Sequence, residues 1–131
     1  MPRILTFSDG FTSSTAPTVT GASEETYTLN NNQSTTNISG LLIDPTDFTT
    51  AFFNYELERI GSSTYRQSGQ FQIVWNGSSF SLSFGPFDGD NLMGIDTTLS
   101  VLNSGQFQYS TVNLTGHTSS KLKIFITRIS A

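Results

Sequence analysis

From Thr26 to the end of the chain, apolar side chains return at every second position, the period of a pleated strand with one face buried. Ala51–Ile60 is the longest case: Phe53, Tyr55 and Leu57 alternate with Asn54, Glu56 and Glu58, as in a half-buried antiparallel strand. Gln70–Trp75 repeats the pattern with Phe71, Ile73 and Trp75 inward, and Ser79–Phe84 with Phe80, Leu82 and Phe84 inward. Asn76-Gly77 between them predicts a tight hairpin turn, because both residue types tolerate positive φ. Shorter runs at Thr26–Leu29, Asn37–Ile43 and Gln106–Ser110 read as strands, the last placing Phe107 and Tyr109 together. In Ile95–Val101, Ile95, Thr97, Leu99 and Val101 share a face, and in Lys121–Ile129, Leu122, Ile124 and Ile126 oppose Phe125 and Ile129.

These segments predict about eight strands separated by Gly, Asn and Pro turns, an all-β antiparallel sandwich or jelly roll. No window carries a helical period with caps. One helical turn is expected after Asp44-Pro45, with Asp47 as its cap, and a loop is expected over Gly85–Asn91. Ser68-Gly-Gln-Phe-Gln72 recurs as Ser104-Gly-Gln-Phe-Gln108 and reads in both places as a turn leading into a strand. Ahead of the pattern, Ile4–Phe7 is followed by a Ser, Thr, Pro and Gly-rich stretch that cannot bury much. The expected division is an extended N-terminal arm over 1–25 and a β-sandwich domain over 26–131.

Composition sharpens this reading. Nine Ile, eleven Leu and eleven Phe against four Ala favour pleated surfaces over helices. Charged residues make up 12% of the chain, about half the usual share, so hydroxyls and amides carry its solubility. A net charge of −4 argues against a nucleic-acid partner, since gripping phosphates needs clustered Lys and Arg. The chain has no cysteine, no apolar run of a signal peptide and no segment of membrane-spanning length. It is expected to be made soluble in the cytoplasm, without membrane insertion, and to need no cofactor.

Candidate chemistry is sparse. His117, the sole histidine, precedes the last strand without any recognisable nucleophile motif, and a histidine metal site would need a second imidazole. Asp88, Asp90 and Asn91 are weak candidates for a hard cation, in a loop whose composition also suits an ordinary solvated turn. Glu56 and Glu58 share a strand face, as a glycosidase pair would, but also fit a plain polar face beside Arg59. Three sequons, at Asn37, Asn76 and Asn113, are accidental in so Asn-rich and Ser/Thr-rich a chain. Trp75, Tyr27, Tyr55, Tyr65 and Tyr109 offer rings for a sugar platform, although Trp75 fits the inward pattern of its strand. No catalytic residue is assigned, and the chain is expected to act by binding or assembly.

A resemblance adds to this. The run from Asn30-Asn-Asn-Gln-Ser34 through Ile38-Ser-Gly-Leu41, Tyr55-Glu-Leu-Glu-Arg59, Gly69-Gln-Phe-Gln72, Trp75-Asn-Gly77 and Ser104–Tyr109 to Asn113-Leu114 resembles a β-rich module of bacteriophage virion proteins, particularly tail-fibre and other tail-associated proteins. The opening Thr6–Ser14 is similar to the start of such proteins. The resemblance implies a virion structural or host-attachment role, with other virion proteins as partners and a host surface glycan as a conceivable ligand. It carries over no site residues. It also favours a trimer, while the near absence of charges that guard strand edges by itself points to a homo-oligomer: the chain has six Lys and Arg, and Lys121 and Lys123 share one strand. A capsid decoration protein, a free carbohydrate-binding domain and, third, a glycan hydrolase are the alternatives.

Overall fold

The computed structural model describes residues 24–131. The expected arm therefore lies outside the described residues except for Glu24 and Glu25, and Glu25 already opens the first strand. Eight strands follow in order: β1 (Glu25–Thr28), β2 (Thr36–Leu42), β3 (Phe48–Ile60), β4 (Thr64–Trp75), β5 (Phe80–Gly89), β6 (Thr97–Val101), β7 (Gln106–Thr111) and β8 (Ser119–Ser130). They form two antiparallel sheets, one of five strands in the order β1-β8-β3-β4-β5 and one of three in the order β2-β7-β6. The all-β sandwich expected from the alternation is the fold observed.

β3 is the centre of the larger sheet and explains why the longest alternation lies there. Phe53, Tyr55 and Leu57 are buried on its inner face, and β4 adds Phe71 and Ile73 while β8 adds Leu122, Ile124 and Ile126. From the smaller sheet Ile38, Leu41, Leu99, Phe107 and Tyr109 close over them. The Phe53 ring stacks on Phe71 with centroids 4.4 Å apart and meets Phe107 of the opposite sheet edge-on at 5.3 Å, so one residue joins both layers. Burying such a ring stabilises the fold by roughly 3 kcal/mol.

Several local expectations are corrected. The Asn76-Gly77 turn is longer than a two-residue hairpin: pairing ends at Trp75 with Phe80, and of the two turn residues only Gly77, at φ +104°, is left-handed. Asn76 instead turns its side-chain oxygen onto the amides of Ser78 and Ser79, both at 2.9 Å. After Pro45 the turn is capped by Asp44, not Asp47: the Asp44 carboxylate accepts from the Thr46 amide and hydroxyl, which lowers its pKa below the ordinary carboxylate value.

Ile95 is 68% exposed and not part of a strand, because the amides of Ile95, Asp96 and Thr97 all donate to the Leu92 carbonyl and hold this stretch in a turn until β6 begins. The two Ser-Gly-Gln-Phe-Gln segments also differ. Gly105 enters β7 from a turn at φ +92°, with the Ile43 carbonyl oxygen only 1.7 Å from where a Cβ would sit. The Ser68–Gln72 segment, in contrast, lies inside β4.

The largest departure concerns β5, which runs through the expected loop as far as Gly89. Phe71 pairs with Phe84 and Gly69 with Phe87, so Gly85 and Pro86 together oppose Gln70 in a bulge. Phe84 faces inward as expected yet is 47% exposed. The reason is a mismatch of sheet widths: three strands lie over five, and β5 past Leu82 is exposed at every position.

Candidate functional site

The most elaborate internal chemistry lies around Arg59, whose parity on β3 continues Phe53, Tyr55 and Leu57 and which is fully buried. Its Nη1 donates to Ser120 Oγ of β8 at 2.9 Å, and its Nη2 donates to the Val112 carbonyl at 2.6 Å, to Asn31 Oδ1 at 3.2 Å and, at long range, to Asp96 Oδ2. Arg59 Nε lies 3.0 Å from Asp96 Oδ1 but off the axis of a hydrogen bond, so charge attraction holds that part of the contact. Asn31 also accepts from the Leu114 amide and donates to Asn113, while Asp96 accepts from Thr97 Oγ1. One guanidinium thus ties β3 and β8 to three connecting segments. Its five donors in a rigid fork suit that role where a lysine would not.

His117 joins the edge of this knot, its Nε2 2.8 Å from Ser120 Oγ. The same oxygen accepts from Arg59 Nη1, so the buried hydroxyl bridges the guanidinium and the imidazole. Ser120 is fully buried, so this histidine and serine hold structure together and present no exposed nucleophile.

The other candidates fall apart spatially or are already engaged. Glu58 is buried against Arg66, whose Nη2 and Nε both reach Glu58 Oε2, at 2.7 and 2.9 Å. Glu56 faces Lys123 at 3.7 Å. Asp88 turns one oxygen to the Gly89 amide and Asp90 one to the Arg66 amide, at the end of β5, with Asn91 exposed beside them. Among the described residues, no three His, Cys, Asp or Glu side chains gather in a way that would hold a metal.

The tyrosines proposed for a sugar platform are drawn inward. Tyr109 is buried with its hydroxyl accepting from the Asn30 amide, and Tyr55 is buried with its hydroxyl accepting from Gln67. Burial pushes the Tyr55 hydroxyl above its ordinary value, and the Gln67 bond offsets part of that rise. Tyr27 donates to Glu25 and Tyr65 packs half-buried on the core. Trp75 is half-buried at the end of β4 against Phe80, with centroids 5.0 Å apart.

Among the described residues the rings that face solvent are phenylalanines, and the periodic reading passed over Phe52 and Phe87. Phe52 and Phe125 stand on the outer face of the five-stranded sheet, among Asn54, Gln70 and Gln72. Phe84 and Phe87 stand on its inner face where the smaller sheet stops. A shallow groove on the outer face of β3, β4 and β5 runs beside Phe52 over Asn54, Gln70, Gln72 and Ser83. Chemically this surface offers flat apolar rings beside amides and hydroxyls, with no nucleophile or metal-ligating set. It suits adhesion to another surface.

No protein-family model matches the chain, and no curated protein matches it. Among solved structures, the tailspike protein of Acinetobacter phage vB_ApiP_P1 superposes with a TM-score of 0.58 at 13% sequence identity. The match covers 95% of this chain and 25% of that one, so the chain spans about a quarter of the tailspike's length. The whole described sandwich is therefore similar in fold to one portion of a phage tailspike protein.

Proposed function

We propose that this chain is a non-catalytic structural module of a bacteriophage virion, associated with the tail, which works by assembling with other virion proteins and adhering to the host surface. The observation that carries the reading is the fold likeness to a portion of a tailspike over nearly the full chain. The surface supports it. Solvent-facing Phe52, Phe84, Phe87 and Phe125 lie beside amides on and around one sheet, an arrangement made for covering by a partner. The low charge of the chain supports it too, since edges with few guards are safe once a neighbour covers them.

The test is gold labelling of purified particles with an antibody raised against the isolated chain. The reading expects label at the tail and a loss of adsorption to host cells when the antibody is bound. Particles without label, or with label spread over the capsid shell, overturn it, the second in favour of a decoration protein.

A further inference from the structure

The hairpin tip between β4 and β5 carries a reactive pair, Asn76 and Gly77. Asn76, Gly77 and Ser78 are all exposed, just beyond the last strand pair, Trp75 with Phe80. Of the nine asparagines in the chain, Asn76 alone precedes a glycine. That neighbour decides the chemistry open to an asparagine, because the backbone nitrogen of the next residue can attack its side-chain carbonyl carbon. A side chain on the next residue shields that nitrogen and stiffens the backbone around it, and glycine has none. At Gly77 nothing lies within 4 Å of where a Cβ would sit. Among the described residues its amide donates to no backbone acceptor, so solvent base can take its proton.

The other asparagines are placed less favourably. Asn37 and Asn54 lie within β2 and β3, where the sheet fixes the backbone. Asn31 bonds to Asn113 and accepts from Arg59 and the Leu114 amide. Asn91 precedes Leu92, whose amide is held by Gln67. Asn103, exposed before Ser104, is the best internal comparison.

We propose that Asn76 is a site of spontaneous deamidation, with water as the only co-reactant. The deprotonated Gly77 nitrogen bonds to Asn76 Cγ, the Cγ–Nδ2 bond breaks, and ammonia leaves from a closed succinimide ring. Water then adds to one of the two ring carbonyl carbons, whose bond to the ring nitrogen breaks as that nitrogen regains a proton. Opening at Cγ gives aspartate. Opening at the backbone carbonyl gives isoaspartate, whose main chain runs through the side-chain carbons. Both exchange a neutral amide for a carboxylate.

The two products affect the hairpin differently. Asn76 Oδ1 accepts from the Ser78 and Ser79 amides, both at 2.9 Å, and the Asn76 amide donates to the Ser79 carbonyl at 3.1 Å. Aspartate keeps an oxygen in that place and adds charge toward the same donors. Isoaspartate lengthens the main chain by one carbon at the tip, so the turn no longer closes on Ser79 and Trp75 loses its fixed contact with Phe80. The native bonds also bear on the rate, because attack waits for the side chain to swing out of the turn. They face solvent and are individually weak, so they slow conversion without preventing it.

The test is ageing of the full-length chain in water enriched in heavy oxygen, at mildly acidic and mildly alkaline pH. Peptide mapping by mass spectrometry then separates aspartate from isoaspartate at each asparagine. Asn76 is expected to convert first, at least about tenfold faster than Asn103. Conversion is expected to quicken with pH, to yield both products with isoaspartate in excess, and to place one heavy oxygen in each. Trp75 emission is expected to shift in step with the isoaspartate fraction. Gly77→Ala is expected to slow conversion at least about tenfold. Repeating that comparison in urea, where the turn is gone, removes the strain of a Cβ at φ +104°. Asn76 left intact while another asparagine converts, or aspartate formed without isoaspartate by direct hydrolysis of the side chain, overturns the proposal.

Discussion

Replacing Arg59 by methionine removes the guanidinium while leaving a flexible apolar chain of similar length in its place, so little cavity forms. What is lost is the charge and its donors. Ser120 Oγ, fully buried, keeps His117 but loses the guanidinium, the Val112 carbonyl loses its bond from Nη2, and Asp96 loses its counter-charge. Breaking a buried ion pair by deleting one partner costs about 3–5 kcal/mol. The Asp96 side chain keeps 15% exposure and its bond from Thr97, and Asn31 keeps its bond from Leu114, so the lower end applies. A loss of about 3 kcal/mol is a large part of the roughly 5–15 kcal/mol that holds a domain of this size. It corresponds to a melting temperature lower by roughly 12 °C.

Urea unfolding monitored by Trp75 fluorescence measures the loss. Amide exchange locates it, with faster exchange expected around Asn31, Asp96 and Val112 before the rest of the sandwich. Asp96→Asn completes a double-mutant cycle with an expected coupling of about 1–3 kcal/mol. An Arg59→Met protein within about 1 kcal/mol of the parent would show that the knot contributes nothing net and that the desolvation of Arg59 cancels its bonds.

Gly105→Ala is expected to destabilise by more than about 3 kcal/mol in the same unfolding assay, since the new Cβ meets the Ile43 carbonyl at 1.7 Å and φ is +92°. Phe53→Ala is expected to cost about 3–5 kcal/mol, and Trp75→Ala clearly less, because Phe53 is buried between Phe71 and Phe107 while Trp75 is half-buried at a strand end. Burial raises the Tyr55 hydroxyl above its ordinary value of 10.0, so its contribution is complete below about pH 10 and is lost as pH rises through the folded value. The melting temperature should therefore fall above pH 10, and Tyr55→Phe should flatten the fall.

The alternation along β3, β4, β7 and β8 was legible because each has one face in the core, and a period of two records that directly. Arg59 was missed: its position continues the inward parity of Phe53, Tyr55 and Leu57, but its charge placed it with the polar face in the sequence reading. What cancels that expectation is a set of partners from distant segments, Asn31, Asp96, Val112 and Ser120, which a local pattern cannot contain. Phe84 and Phe87 failed differently. Phe84 has inward parity, yet burial depends on how far the other sheet reaches. Phe87 was assigned to a loop because the Gly85-Pro86 bulge, which returns it to the inner face, breaks the period of two. Ile95 was lost to a turn closed by the Leu92 carbonyl, where three amides share one acceptor. The exposed rings that form the candidate surface were therefore hidden inside the same periodicity that located the core.

The most direct measurement is a reconstruction of the intact particle in which this sandwich is located. The account expects eight-strand density in the tail, with the β5 edge bearing Phe84 and Phe87 covered by a neighbouring molecule. Particles that lack the domain, or that carry it on the capsid shell with this edge open to solvent, would contradict it.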